Sequence, residues 1–308
     1  MATAFITHAD CALHDMGAHH PECPARLGAI NDRLIASGID AYLDFHDAPC
    51  ASDEQVLRAH DAAYLAQLRD SVPQQGIHHL DPDTAMNPHT LTAALHAAGA
   101  GVLATDLVVG GQAENAFCAV RPPGHHASRG RAMGFCLLNN VAIAALHALE
   151  AHGLQRVAVV DFDVHHGNGT EDILRDEPRA MMASIFQHPF YPYSGTDDVP
   201  SHWANVPVKA GLRGAEFREV VEQRWLPALE AFAPEMIFIS AGFDAHYEDD
   251  MASCGLVEDD YAWATHELRG FAARCCGGRI VSLLEGGYAL SALGRAAVAH
   301  VRALADLC

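Results

Sequence analysis

Positive charge is what this 308-residue sequence has least of: 19 Lys and Arg stand against 39 Asp and Glu, a formal net charge of -20. Gripping phosphates without regard to base sequence needs clustered Lys and Arg, so the balance argues against a nucleic-acid partner and would favour cationic ones. A merely solvated acidic surface gives the same sum. No Ser/Gly-rich or Pro-rich linker and no compositional break divides the chain, which predicts one domain over 1–308. The apolar runs read as far short of a bilayer-crossing helix, and the start Met1-Ala-Thr-Ala-Phe-Ile-Thr-His lacks the basic residues and long apolar stretch of a signal peptide. The expectation is a cytoplasmic protein with no membrane partner. Nine cysteines form an odd, scattered set without a Cys-x-x-Cys pair, which argues against a disulfide scaffold or a cysteine zinc site and reads as mostly small core residues. Repeats and low-complexity segments are also missing.

What is present is the alternation of an α/β protein with a mainly parallel central sheet flanked by helices. Short apolar runs predict strands over 116–120, 157–162, 180–186, 236–241 and 279–284. Stretches rich in Ala, Leu and Glu predict helices over 25–37, 88–109, 139–152, 215–231, 259–275 and 289–307. Ligands of an open α/β sheet bind beyond the carboxyl ends of the strands, and four of these ends carry unusual chemistry. They are Arg121-Pro-Pro-Gly-His125-His126-Ala, Asp161-Phe-Asp163-Val-His165-His166-Gly-Asn168-Gly, Gly242-Phe-Asp244-Ala-His246 and Glu285-Gly-Gly-Tyr288. Their coincidence on one edge is the central inference from the sequence.

Aspartates closing a buried strand cost several kcal/mol each unless a cation or strong hydrogen bonds compensate. If the extended backbone continues, Asp163 and His165 at i and i+2 point the same way. With Asp244 they make a three-ligand set with an open position, the pattern of a catalytic zinc site; two carboxylates and one imidazole suit zinc, and the ligand types also admit ferrous iron or cobalt. Such a metal activates water for hydrolysis. His125 and His126 supply a base for the water's proton and an acid for a departing amine. Asp161 is placed to hold one imidazole and Asn168 the other, which separates their proton affinities. Tyr288, on a Gly-Gly elbow, is a donor to the oxyanion that forms on carbonyl attack. His166 has no assigned role beyond support.

These motifs, together with Gly134-Phe135-Cys-Leu-Leu-Asn-Asn and His19-His-Pro-Glu-Cys-Pro-Ala-Arg26, resemble the zinc-dependent histone deacetylase family, most closely its class II and bacterial amidohydrolase branch. The resemblance spans nearly the whole chain. It implies the arginase-deacetylase fold and one zinc on Asp163, His165 and Asp244. His126 is then the general base and acid, His125 the partner oriented by Asp161, and Tyr288 the oxyanion donor. It places Gly134, Phe135 and Tyr191 along the acyl-lysine channel, with Tyr191 where the family usually has phenylalanine. Arg26 lines an internal cavity, and Asp83 or a neighbour meets the substrate backbone at the rim. A monovalent cation, usually potassium, is implied on Asp161, Asp163, Ser184 and the carbonyls of His165 and Ile185.

The resemblance implies hydrolysis of an acyl-lysine amide in a protein or peptide. An acetylpolyamine amidohydrolase is the alternative, and the limited room for an inserted channel-narrowing loop argues for the more open acyl-lysine site. An arginase-like dimetal hydrolase would need further Asp and His ligands, and a non-catalytic relative would lack Tyr288.

Overall fold

A computed structural model describes residues 2–307. In chain order the strands are β1 (Thr3–Thr7), β2 (Leu43–Asp47), β3 (His78–His79), β4 (Ala85–Met86), β5 (Ala116–Cys118), β6 (Val157–Asp161), β7 (Ala180–Gln187), β8 (Ala204–Val208), β9 (Met236–Ala241) and β10 (Ile280–Leu284). The helices are α1 (Ala25–Ser37), α2 (Asp53–Val56), α3 (Ala62–Asp70), α4 (Thr90–Val109), α5 (Asn140–Glu150), α6 (Asn168–Leu174), α7 (Gly214–Val220), α8 (Leu226–Phe232), α9 (Glu258–Cys275) and α10 (Leu290–Leu304). Strands β3 and β4 form a small antiparallel hairpin. The other eight make one sheet in the order β2-β1-β5-β10-β9-β6-β7-β8, with every neighbouring pair parallel.

Strands β6, β7, β9 and β10 are buried along their whole length. Continuous apolar runs are what a parallel sheet covered on both faces requires. Consecutive residues of β10 show the two faces. The Ser282 hydroxyl meets His300 of α10 at 2.8 Å, whereas a Cβ built at Gly101 of α4 would lie 3.0 Å from Leu283. Successive strand side chains point oppositely, so α4 and α10 cover opposite faces. Gly99 allows α4 its closest approach: a Cβ there would sit 1.9 Å from the Pro49 carbonyl oxygen.

Several sequence expectations need correction. Strands β1, β2 and β8 were not predicted. β2 and β8 are sheet edges with partly exposed, polar or Pro-containing sequence, so they lack the apolar signal of the central strands. The predicted helix over 215–231 is interrupted: α7 passes through a π-helical turn, Val221–Trp225, into α8. Pro227 in the first turn of α8 has no N–H to give, a local cause for the change of helical pitch. Helix α4 is long and apolar enough to cross a membrane by length and composition, contrary to the expectation, but most of it is buried inside the protein. The eight described cysteines are all free; only Cys11, Cys118, Cys136 and Cys276 are buried.

Candidate active site

Strands β5, β10, β9 and β6 are neighbours in the sheet, so the four motifs that follow them open onto one stretch of its carboxyl edge. The β6 strand ends at Asp161, and Asp163 and His165 belong to the loop leading into α6. Their juxtaposition therefore comes from a turn and not from a continuing extended backbone. In that turn the backbone N–H of Asp163 donates to Asp161 Oδ1 at 3.0 Å, and the N–H of His165 donates to Asp163 Oδ1 at 2.9 Å.

His165 Nδ1 lies 3.0 Å from Asp163 Oδ1 and 3.1 Å from Asp244 Oδ2, and all three side chains are buried. Each carboxylate also accepts a backbone N–H: Gly286 donates to Asp163 Oδ2 at 2.9 Å and Val164 to Asp244 Oδ1 at 3.0 Å. Glycine is needed around them. A Cβ at Gly242 would fall 2.1 Å from Asp163 Oδ2, and one at Gly286 would fall 2.2 Å from Asp244 Oδ2. Burial and the adjacent Asp163 push Asp244 up to about 6. Burial opposes charge on His165 as well, yet the bonds to Asp163 and Asp244 hold its imidazole up at about 10. Two buried carboxylates converging on one imidazole call for positive charge among them, which a divalent metal supplies better than a proton.

His125 and His126 face different partners. His125 Nδ1 is 3.0 Å from Asp161 Oδ2; His126 Nδ1 is 2.8 Å from Asn168 Oδ1. Although burial works against it, the Asp163 and Asp161 carboxylates raise His125 well above the ordinary range. Burial, reinforced by His125 and His165, takes His126 well below it. His126 is the ring whose neutral form is favoured. Glu285 secures the turn carrying the pair, accepting the N–H groups of Gly124 at 2.7 Å and His125 at 3.1 Å.

A pocket of about 220 Å³ leads to this cluster, lined by Asp83, His126, Gly134, Phe135, His165, Phe190, Tyr191, Met251 and Tyr288. Gly134 has φ +57, and a Cβ there would run into the His126 ring at 2.4 Å. Its N–H donates to Asp83 Oδ1 at 3.1 Å. Phe135 holds φ 70, a left-handed backbone unusual for an aromatic residue. Across the channel, Tyr191 meets the His126 ring edge-on at 5.2 Å, and its hydroxyl is buried without a hydrogen-bond partner. Phe190, absent from the sequence reading, stacks on His165 at 5.6 Å. A wider surface groove between α1, α9 and α10 contains none of the sequence-derived site residues.

Arg26 is fully buried, donating to the Gly287 carbonyl at 2.7 Å and to Glu22 Oε1 at 3.0 Å, with its guanidinium 4.9 Å from the Tyr288 ring centre. Asp249 was missed: its Oδ2 accepts the N–H groups of Tyr288 at 2.6 Å and Ala289 at 2.9 Å, while Oδ1 accepts that of Met251 at 3.0 Å. One carboxylate thus ties the Tyr288 elbow to the loop that brings Met251 to the channel. It stands in Tyr247-Glu-Asp-Asp250, an acidic run with no distinguishing spacing, although the i, i+4 pair Glu22/Arg26 was open to recognition. Ser184 is opposite Asp161 across β6 and β7 and donates to Asn205 Oδ1 at 3.1 Å, with Ile185 next along the strand. His166 turns to Glu171, 2.6 Å from its Oε2, and packs under Gly195, whose Cβ would come within 2.7 Å of the ring.

Comparison with known proteins gives a consistent set of similarities. A family model described as the histone deacetylase domain matches residues 20–304. The histone deacetylase-like amidohydrolase of Pseudomonas aeruginosa is 36% identical, over 93% of this chain and 81% of its own. The polyamine deacetylase HDAC10 of Mus musculus is 34% identical, over 99% of this chain and 48% of its own. A solved structure, the HDA15 HD domain, matches with a TM-score of 0.91 at 32% identity, covering 98% of this chain and 90% of that one.

Proposed function

The chain belongs to the histone deacetylase family, and from that premise we propose that it hydrolyses the N-acyl amide of acetyl-lysine or another short acyl-lysine, using zinc held by Asp163, His165 and Asp244. The observation that carries this reading is the convergence on one channel of a neutral-favouring imidazole, a tyrosine hydroxyl and a buried carboxylate-imidazole-carboxylate set. That set fits a divalent ion in donor type and number, and Gly242 and Gly286 leave its inner side free of Cβ atoms. When bound, the metal supplies Lewis acidity that polarises the acyl carbonyl and makes water a stronger acid.

The remaining work falls to the chain's own side chains. His126, its Nδ1 proton directed at Asn168, offers Nε2 to take a proton from the attacking water. The water oxygen bonds to the acyl carbon, the C–N bond breaks, and His126 returns the proton to the leaving amine nitrogen. His125, held against Asp161, keeps positive charge beside the reacting centre. Tyr288 donates its hydroxyl to the carbonyl oxygen as charge develops there. Burial raises the Tyr288 hydroxyl well above its ordinary range, so it stays protonated and able to donate. Phe135, Phe190 and Tyr191 exclude water from the alkyl stem of the substrate.

Acyl-lysine is favoured over an acetylated polyamine by the lining. Apart from Asp83, whose Oδ1 accepts the Gly134 N–H and the Thr84 hydroxyl, the lining beyond the histidines is Gly134, Met251 and aromatic rings, which suits the single alkyl stem of a lysine. Potassium is proposed on the Asp161, Asp163 and Ser184 side chains and the His165 and Ile185 carbonyls, where buried aspartates lie next to one another and Ser184 pairs with Asp161 across the ladder.

The test is kcat/KM on acetyl-lysine peptides, longer acyl-lysine peptides and acetylated polyamines, with metal analysis of the same protein. The expected result is a peptide preference of roughly 10-fold or more. A preference for the polyamines would replace the substrate class, and no amide hydrolysis by metal-loaded protein would end the proposal.

A further inference from the structure

The small hairpin β3–β4 stands apart from the main sheet, yet its turn braces the wall of the channel. Asp81 ties that turn together, its Oδ1 accepting the N–H groups of Asp83 at 2.9 Å and Thr84 at 2.8 Å. An aspartate bonded to the backbone two residues on is a common way to fix a tight turn. The N–H of Leu80 adds a bond to the Thr84 carbonyl at 2.8 Å. So fixed, the side chains of Asp83 and Thr84 reach residues 51 positions further along the chain, Gly134 and Phe135.

Thr84 is fully buried, and its hydroxyl is used in both directions. It accepts the Phe135 N–H at 3.0 Å and donates to Asp83 Oδ1 at 2.9 Å. The same Asp83 oxygen accepts the Gly134 N–H at 3.1 Å. Two successive side chains of the hairpin therefore hold two successive amides of the channel wall. Those are the residues whose backbone is left-handed, with φ 57 at Gly134 and φ 70 at Phe135. Glycine enters that region freely, whereas a phenylalanine stays there only where its surroundings hold it. The Thr84 hydroxyl is the group that holds it by the amide.

The backbone at residue 135 decides where its ring stands. The Phe135 ring meets Tyr288 edge-on at 5.8 Å and His20 edge-on at 4.6 Å, and it lines the channel with Phe190 and Tyr191. Relaxation of Phe135 out of the left-handed region would carry the ring off Tyr288 and open the wall.

We propose that Thr84 is a positioning residue that sets the substrate fit of the channel, its hydroxyl clamping Phe135 in the left-handed conformation that presents the ring to the alkyl stem of the substrate. This deepens the acyl-lysine reading and rests on it. A hydroxyl that merely supported the hairpin would change stability and leave KM alone.

Thr84→Val keeps the shape of the side chain and removes the hydroxyl, whereas Thr84→Ser keeps the hydroxyl. Zinc-loaded wild type and variants are compared by kcat and KM on an acetyl-lysine peptide, and by NMR exchange of the Phe135 amide. For Thr84→Val the expected result is a KM raised about tenfold or more, a kcat within about threefold, and a Phe135 amide exchanging at least about tenfold faster. Thr84→Ala, which cannot overpack the site, is expected to follow it, and Thr84→Ser to stay within about threefold of wild type in all three. A KM within about twofold of wild type in both hydroxyl-free variants, a loss confined to kcat, or an unchanged Phe135 exchange overturns the proposal. Wild-type protein inactive on every acyl-lysine peptide would overturn the functional reading and the substrate role with it, while the exchange rates still decide the clamp.

Discussion

Adjacent in sequence, with ring centres 4.0 Å apart, His125 and His126 nonetheless diverge because one faces a carboxylate and the other an amide. That contrast was legible in the sequence, since Asp161 and Asn168 sit at short, fixed distances from a recognisable strand end. The place of Tyr288 beside the same channel was legible for the same reason. Removing its hydroxyl, Tyr288→Phe, is expected to lower kcat by roughly 100- to 1,000-fold with metal content unchanged; near-normal kcat in the metal-loaded variant would contradict the oxyanion role. Asp249 was not legible, because nothing in its acidic neighbours marks which carboxylate turns inward. It holds the Tyr288 and Ala289 amides, so Asp249→Asn is expected to lower kcat by about 10- to 100-fold with a smaller change in KM. An unchanged kcat would make Asp249 a support for Met251 alone.

Among the elements, the central strands and long helices stood out in the sequence because burial on both faces leaves unbroken apolar runs. The edge strands β2 and β8 and the short helices α2, α3 and α6 carry too few buried apolar residues to make such a pattern. Even the decisive turn after Asp161 was read as extended, since period-2 spacing of Asp163 and His165 does not distinguish a strand from this loop. One tertiary joint was invisible from local sequence. His300 of α10 lies 2.7 Å from the Thr265 hydroxyl of α9 and 2.8 Å from the Ser282 hydroxyl of β10, so a neutral ring bonds two helices to a strand that leads to the candidate site. His300→Ala leaves a cavity and the buried Ser282 hydroxyl without its partner, while the Thr265 hydroxyl keeps its bond to the Tyr261 carbonyl, an expected loss of about 2 to 4 kcal/mol. Denaturant titration at pH 8 measures it, and a loss below about 1 kcal/mol would mean that water or repacking satisfies the site.

For the molecule as a whole, the arginase-deacetylase fold does the assembling: chain segments from residues 116 to 288 meet because β5, β10, β9 and β6 are consecutive in the sheet. That strand order is a long-range property that no single motif encodes; the resemblance to a known family supplied the fold class but not the order. Burial of histidines also gives the fold an acid limit. Burial lowers His60 to about 4 and His300 to about 3, from an ordinary value of 6.5. Both are neutral in the fold, so their contribution is fully present above pH 6.5 and is lost as pH falls towards those values while the unfolded chain takes up protons. For His60 alone the loss amounts to on the order of 3 kcal/mol. Because His165 and Asp244, raised in the fold, give metal-stripped protein pH dependences of the opposite sign, the check is the difference between wild type and His60→Gln: their denaturation midpoints should converge as pH falls from 6.5 to 4.5, and a constant difference down to pH 5 would exclude this linkage.

The central claim is that this edge of the sheet is a metal-dependent amide hydrolase acting on acyl-lysine. Acetate release from an acetyl-lysine peptide, measured on chelator-stripped protein before and after one equivalent of zinc, tests it most directly. The account predicts that stripping abolishes turnover, that zinc restores it, and that Asp244→Ala stays inactive with reduced zinc occupancy. Full turnover by stripped protein, or by Asp244→Ala carrying stoichiometric zinc, would contradict it.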